Sequence, residues 1–164
     1  MTEKTKIAFL ELAALKGAIH AVKRVFSHPS IKFAVVADPL FEAGVTKILI
    51  ELKDALQILR SHGMRLTFKD DIPSGDITDL IATCRNAACH IASPDQNIGG
   101  SRFRFFSLGP NTPNAIFANG VQMGNIYHDD FAVGWGPNMV YFKRHLERAL
   151  IEAESKIQIL ESTL

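Results

Sequence analysis

The chain has few cysteines and almost no excess charge. Cys84 and Cys89 are the only cysteines among 164 residues, and their spacing is not the CxxC of zinc or redox sites. The sequence therefore supports neither a disulfide framework nor a structural zinc site, and reduced thiols favour a cytosolic protein. Eighteen basic residues against seventeen acidic ones leave a net charge of +1. That balance argues against a strongly basic DNA coat or a polybasic membrane binder, but it permits a local basic patch.

Long apolar runs and nucleotide-binding glycine motifs are also missing. No run reaches the roughly 20 apolar residues that a membrane span needs. Glu11 and Lys16 interrupt the N-terminal stretch that would otherwise resemble a signal peptide. The sequence contains no P-loop, dinucleotide fingerprint or serine-nucleophile elbow. We therefore expect a cytoplasmic protein without a membrane partner and without a cofactor.

Hydrophobic periodicity predicts three helices before residue 92 and one at the end of the chain. The apolar residues of 2–26 and of 39–62 recur at helical spacing, and Asp38 followed by Pro39 is typical of a helix start. A third, shorter helix starts near Asp76, with Asp79 completing a capping pair, and extends to about residue 91. The last helix covers about 137–160. Residues 31–37 fit either a short helix or a strand, and residues 64–68 fit a short strand.

The pattern changes between the third and the last helix. Residues 102–108 and 115–121 are typical of strands, and the turn-rich segment 109–114 between them predicts a β-hairpin. The sequence therefore predicts a single, mainly α domain over residues 1–164. This domain is a helical bundle with a β-hairpin, at about 101–122, inserted before the last helix.

The third helix carries the residues best suited to chemistry. At about 100° per residue, one face of this helix is apolar and predicted to be buried: Ile77, Leu80, Ile81, Cys84, Ala88 and Ile91. Asn86 and His90 are four residues apart on the opposite side and should be neighbours. Arg85 lies on the shoulder of the helix, from which its long side chain can reach His90. A guanidinium, an amide and an imidazole thus gather on a face that the core does not need, and we expect Cys89 at an interface.

This Arg-Asn-x-x-x-His near a helix end resembles the HEPN superfamily (higher eukaryotes and prokaryotes nucleotide-binding domains). Members share a helical bundle and a motif of Arg, four to six residues, then His, often with a polar residue after the Arg; Arg85, Asn86 and His90 match it. The resemblance covers the motif helix closely and the remaining helices loosely. It implies a homodimer with the site at its interface and a ribonuclease of a prokaryotic defence or toxin type. An antitoxin-type protein is then a candidate partner.

The three side chains suit RNA cleavage without a metal. Neutral His90 can deprotonate a ribose 2′-OH, whose oxygen then attacks the adjacent phosphorus and leaves a cyclic phosphate. Arg85 can stabilise the charge on the phosphoryl oxygens, and Asn86 can orient the imidazole or hold a phosphate oxygen. DNA lacks the attacking hydroxyl. A two-fold dimer would supply a second His90 as the acid.

Other interpretations remain open at this point. The alternative function is a catalytically silent helical dimer that binds RNA, a nucleotide or a protein partner. Four further arginines are candidate RNA contacts, although an ordinary half-buried strand or a solvated helix face gives the same pattern: Arg102, Arg104, Arg144 and Arg148. The segment 127–130 contains metal-ligand types, but an exposed loop is the simpler interpretation, and we expect no metal. Four acidic residues ahead of the motif would repel a phosphate chain: Asp70, Asp71, Asp76 and Asp79.

Overall fold

The computed structural model describes residues 3–32, 34, 36, 38–90, 93–98, 100–118 and 120–163. Its α-helices are α1 (Glu3–Phe26), α2 (Pro29–Lys32), α3 (Pro39–Ser61), α4 (Ile77–Cys89) and α5 (Arg148–Ser162). A 3₁₀ turn covers Pro94–Gln96, and a π-helical segment, Phe142–Glu147, leads into α5. The strands are β1 (Asn97–Ile98), β2 (Ser101–Arg102), β3 (Phe106–Leu108), β4 (Thr112–Ala118), β5 (Val121–Asn125), β6 (Ala132–Trp135) and β7 (Asn138–Tyr141).

Helix α3 is the centre of the helical layer and packs against α1, α4 and α5. It begins where the sequence predicts, because the Asp38 carboxylate accepts the N–H of Leu40 at 2.9 Å and Pro39 occupies the first turn. It ends at Ser61, and Gly63 follows with a φ of +73°. Its predicted apolar face is confirmed as buried at Phe41, Val45, Ile48, Leu52, Ala55, Leu56 and Leu59. Leu49, which the periodicity did not single out, is buried as well. Burying each large side chain of this kind stabilises the fold by about 1.5–3 kcal/mol.

The expectation of a mainly helical bundle with one hairpin is wrong. Seven strands form three antiparallel sheets within the described part of the chain, so the fold is a mixed α/β fold. Two sheets are two-stranded, β1–β2 and β4–β5, and the third has the order β3–β6–β7. Residues 138–141, which the sequence assigns to the last helix, instead form β7 and pair with β6. Residues 64–68 lie in no strand.

The strand partners also differ from the predicted hairpin. Residues 106–108 pair with β6, so that Phe106 lies opposite Gly134, whereas β4 pairs with β5. The reason is visible in the sequence at 119–120, where an Asn-Gly pair separates β4 from β5 by two residues. Asn-Gly is the strongest short hairpin signal, because both residues tolerate a positive φ, and Gly120 has a φ of +81°. Residues 109–111 join β3 to β4, which belong to two different sheets, and residues 112–114 of the predicted turn lie in β4.

The strands belong to the same core as the helices. Phe41 of α3 lies about 6 Å, centroid to centroid, from Phe105, Phe131 and Phe142, and Trp135 of β6 is 1% exposed. Helix α4 packs on β6 and β7. The sheet β3–β6–β7 therefore supports the helix that carries the candidate site, instead of projecting from the bundle as an insertion.

Two predictions fall partly outside the described residues. Residues 29–32 form α2, but residues 33, 35 and 37 are not described, so the choice between helix and strand for 31–37 is settled only at its start. The predicted third helix extends to residue 91, which also lies outside the described residues, and α4 ends at Cys89. Among the described helices, none combines the length and the apolar character that crossing a bilayer requires.

Candidate active site on helix α4

Helix α4 is anchored at its first turn by a capping box and an arginine. The Asp76 carboxylate accepts the N–H groups of Thr78 and Asp79 at 2.9 and 3.2 Å, and Asp79 accepts the N–H of Asp76. Arg65 donates to both oxygens of Asp76 at 2.8 and 2.9 Å and to Asp79 at 2.6 Å. Burial alone would raise the pKa of Asp76, but Arg65 and the N–H donors hold that pKa below its ordinary value. Two of the four acidic residues ahead of the motif are thus paired with Arg65.

The two faces of α4 follow the predicted helical spacing. The buried face consists of Ile77, Leu80, Ile81, Cys84 and Ala87. Ala87 takes the place predicted for Ala88, which is half-buried. The prediction that Cys84 lies in the core is confirmed, and burial raises the pKa of its thiol, which keeps it protonated and unreactive. Asn86, Cys89 and His90 are exposed, so the predicted polar face is available to a ligand or to a second chain.

Arg85 contains a buried donor that the chain leaves unused. Its Nη1 donates to Asn86 Oδ1 at 3.3 Å, which brings these two predicted site residues together. Its Nε is buried and is the only buried side-chain nitrogen or oxygen, among those described, that has no hydrogen-bond partner. An unsatisfied buried donor costs about 1–3 kcal/mol, and more when the group is charged. Because this Nε has almost no accessible surface, an oxygen from a ligand or from another chain can reach it only after the Arg85 side chain moves.

His90 lies at the C-terminal cap of α4, where the helix gives way to extended backbone. Its φ and ψ are −113° and 109°, and its N–H donates to Asn86 O at 3.1 Å. The side chain is exposed, and no hydrogen bond of its ring to the described residues is recorded. The structure therefore joins Arg85 to Asn86 directly and leaves the His90 imidazole one helical turn from Asn86 with an open surface around it.

Gln96 connects the end of α4 to the first small sheet. This side chain is 3% exposed, and its Nε2 donates to the carbonyls of Ala87 and His90 at 2.6 and 3.2 Å. Its Oε1 accepts a hydrogen bond from Arg102 Nε at 2.9 Å. Gln96 is the residue that the sequence reasoning missed. A glutamine after a Ser-Pro turn is typical of a solvated loop, and no local pattern indicates that its amide satisfies carbonyls of the preceding helix.

The sites of the four further arginines differ. Arg102 is exposed and bound to Gln96, next to the end of α4, and Arg104 is exposed. Arg144 lies 3.6 Å above the Tyr127 ring and pairs with Asp129 and Asp130 at 2.9 and 3.3 Å. A phosphate at Arg144 would have to compete with these carboxylates.

Arg148, like Arg144, forms ion pairs with acidic side chains. It pairs with Asp70 at 2.7 Å and with Glu152 at 2.9 Å, and its guanidinium lies 3.9 Å from the Phe68 ring centroid. The Arg148 guanidinium holds the pKa of Asp70 below its ordinary value. His145, between the two arginines, is buried and contributes nothing to a basic surface.

The segment 127–130 has a structural role in the fold. Asp130 is 1% exposed and accepts the backbone N–H groups of Phe131, Lys143 and Arg144 at 2.9–3.0 Å, so its carboxylate caps the start of the π-helical segment. Its oxygens are thus turned inward and occupied. No group of three or more His, Cys, Asp or Glu side chains placed to hold a metal occurs in the part of the chain that the structure describes.

The candidate site is an open surface beside a groove. A groove of about 450 Å³ separates α3 from α4 and is lined by Lys53, Gln57 and Arg60 on one side and by Ala82 on the other. Ala82 precedes Asn86 by one turn on the same helical face. Two larger clefts, of about 810 and 690 Å³, are lined by residues other than Arg85, Asn86 and His90. One chain therefore offers a shallow, polar surface here.

Comparison of the chain with protein-family models, curated proteins and solved structures finds no match. The resemblance to the HEPN superfamily accordingly depends on Arg85, Asn86 and His90 and on the helix that carries them.

Proposed function

We propose that the protein is a HEPN-like, metal-independent endoribonuclease of a prokaryotic defence or toxin type. The observation that carries this proposal is the Arg85 guanidinium, which among the described residues bonds to Asn86 alone, next to the exposed Asn86 and His90. A guanidinium with an unused donor suits a phosphoryl oxygen, because its planar fork matches phosphate geometry. An exposed imidazole one turn away suits proton transfer near neutral pH.

The reaction follows from these three side chains. Neutral His90 takes the proton from the ribose 2′-OH, and the 2′ oxygen attacks the adjacent phosphorus. Arg85 donates to the non-bridging oxygens, on which charge increases in the transition state, and Asn86 holds either the Arg85 guanidinium or a phosphate oxygen. The bond from phosphorus to the 5′ oxygen breaks, leaving a 2′,3′-cyclic phosphate and a 5′-hydroxyl after that oxygen gains a proton.

A homodimer completes the site. One chain supplies one imidazole, whereas the reaction needs a base for the 2′-OH and an acid for the departing 5′ oxygen. A two-fold axis passing near the exposed face of α4 places two His90 side chains in one pocket and makes that pocket deeper than the surface of a single chain. Cys89, exposed on the same turn, would then lie at the interface.

The test is cleavage of RNA in the presence of EDTA by four proteins: the wild type, Arg85→Ala, His90→Ala and the control His20→Ala. His20 is an exposed histidine of α1, so its loss should leave the rate within about two-fold. We expect each site variant to lose at least about 100-fold, the range for general acid–base and oxyanion groups. Products should carry cyclic phosphates, and an all-2′-deoxy substrate should stay intact. Cleavage that needs a metal, or that survives in His90→Ala, would refute the proposal.

A second candidate is a catalytically silent dimer that binds RNA, a nucleotide or a protein partner. It is favoured by one observation: among the described residues no hydrogen-bond partner orients the imidazole of His90, although Arg85 and Asn86 are joined. An unoriented base is poorly placed for catalysis, whereas the arginine still binds an anion. Tight binding of RNA by the wild type, without cleavage of any RNA tested, would support this function. An acidic, antitoxin-type protein that covers Arg85 would fit either function.

A further inference from the structure

We propose that Arg102 is a second phosphate-binding residue of the α4 site and that buried Gln96 is the positioning residue that holds it beside His90. The inference rests on the proposed function, since it assigns a subsite for the RNA phosphate that neighbours the scissile one. The observation behind it is the unbroken series of hydrogen bonds that runs from the carbonyl of His90 through the Gln96 amide to the Arg102 guanidinium.

Both the nitrogen and the oxygen of the Gln96 amide take part in hydrogen bonds. Nε2 donates to two carbonyls at the end of α4, and Oε1 accepts from Arg102. At 3% exposure the side chain is shielded from water, so these bonds are costly to break. Phe103 N–H also donates to the Gln96 carbonyl at 2.8 Å, which ties the backbone next to Arg102 to the same residue. Arg102 is thus connected to the end of α4 through Gln96.

Arg102 retains the donors that a phosphate needs. The guanidinium has five N–H groups, and Gln96 takes only the one on Nε. Arg102 is exposed, and among the described residues no carboxylate pairs with it. This distinguishes it from Arg144 and Arg148, which lie in ion pairs with aspartates or glutamate.

The helix end explains why a cation is needed at this place. The C-terminus of a helix carries a partial negative charge from its last carbonyls, which disfavours an anion. Gln96 satisfies two of these carbonyls, and the Arg102 guanidinium adds a positive charge within two hydrogen bonds of His90. A phosphate chain that passes His90 at this helix end therefore meets a compensating charge at Arg102.

The test measures binding of a 2′-O-methyl RNA oligonucleotide, which cannot be cleaved because its 2′-OH is blocked. Fluorescence anisotropy over a salt series would compare the wild type, Arg102→Ala and Arg24→Ala. Arg24 is an exposed arginine of α1, a helix that packs on α3 and α5, and serves as the charge-matched control. We expect Arg102→Ala to weaken binding about 3- to 10-fold and to reduce the salt slope by about one phosphate contact. Arg24→Ala should change the affinity and the salt slope only by the small amount that follows from losing one positive charge far from the site.

Gln96 is tested by a double-mutant cycle with Arg102. Gln96→Met keeps the volume and removes every hydrogen bond of the amide, and Gln96→Glu keeps an acceptor for Arg102 but loses the donors to α4. If Gln96 acts on RNA through Arg102, Gln96→Met weakens binding in the wild-type background and has no further effect in Arg102→Ala. If Gln96→Met instead weakens binding through a general loss of structure, its effect on affinity adds to that of Arg102→Ala in the double variant. Thermal unfolding of each variant measures any general loss of structure. Arg102→Ala removes one hydrogen bond to the buried Gln96 Oε1, so we expect its unfolding midpoint to fall by a few degrees only.

The outcomes separate this inference from the proposed function. A wild type that cleaves RNA while Arg102→Ala matches Arg24→Ala in affinity and salt slope overturns the subsite and leaves the ribonuclease standing. A wild type that does not cleave RNA but loses affinity and salt slope in Arg102→Ala supports the subsite and refutes the ribonuclease. A wild type without any affinity for the oligonucleotide overturns both.

Discussion

The close approach at Gly136 provides a sharp test of how the strands hold the candidate site. Gly136 lies in the turn between β6 and β7 with a φ of +57°, and its N–H donates to Phe103 O at 2.9 Å. A Cβ built on Gly136 would stand 2.7 Å from Gln96 Cα and 2.6 Å from Gln96 C, and closer still to Asp95 O. These atoms are backbone and cannot rotate away. Gly136→Ala should therefore displace the 3₁₀ turn that carries Gln96.

Two separate effects contribute to the loss of unfolding free energy that we expect for Gly136→Ala. A left-handed φ costs an L-residue roughly 1–2 kcal/mol relative to glycine. Overpacking against a backbone adds about 1–3 kcal/mol. The sum is about 2–5 kcal/mol, which in a protein of this size lowers the unfolding midpoint by roughly 5–15 °C. Gly120→Ala supplies the matched control, because its φ is +81° and its Cβ would meet no atom within 4 Å. Gly120→Ala should lose only the free energy that the left-handed φ costs.

The assays are thermal and urea unfolding, followed by far-UV circular dichroism and by the fluorescence of Trp135, the only tryptophan in the sequence. The difference between the two alanine variants isolates the contribution of the close approach. We also expect the folded Gly136→Ala protein to bind the 2′-O-methyl oligonucleotide as weakly as Gln96→Met does. Equal free energies of unfolding for Gly136→Ala and Gly120→Ala would refute the packing of this turn on Gln96, and with it the reasoning that the sheet positions the site.

Two further predictions concern pH and assembly. His145 is buried, its Nδ1 accepts the Tyr141 N–H at 3.2 Å, and its Nε2 lies 2.9 Å from Asp70 O, so the neutral ring is the form that fits. Burial lowers its pKa, although nearby aspartates oppose this, so the unfolded chain binds the proton more readily. Stability from this group is present above the unfolded pKa of about 6.5 and is lost as the pH falls below it, by at most about 1.4 kcal/mol per pH unit. His145→Gln should remove that slope in urea titrations at pH 5–7, and an unchanged slope would contradict the assignment. If the site forms across a dimer, specific activity should fall on dilution below the dimer dissociation constant. Cys89→Trp should give a folded monomer by light scattering, and a stable, active dimer of that variant would place the interface elsewhere.

The helices could be predicted because their signals are local. The cap at Asp38–Pro39 and the capping box of Asp76 and Asp79 each involve residues within three or four positions of one another, and the structure contains both. The apolar faces of α1, α3 and α5 follow a fixed period along the chain, so their buried residues could be read directly. The start of the last helix could not be predicted, because the side chains of Met139, Val140 and Tyr141 suit a helix or a strand equally. Pairing of this segment with β6 decides between the two.

The exposed face of α4 with Asn86 and His90, and the burial of Cys84 opposite it, were determined by the amino-acid order alone, since helix geometry fixes which residues share a face. Tertiary structure decided which strands pair, that Gln96 closes the end of α4, and that the Nε of Arg85 is buried without a partner. These features depend on contacts between segments distant in the chain. A hydrogen bond or a burial of that kind exists only after the core has brought those segments together.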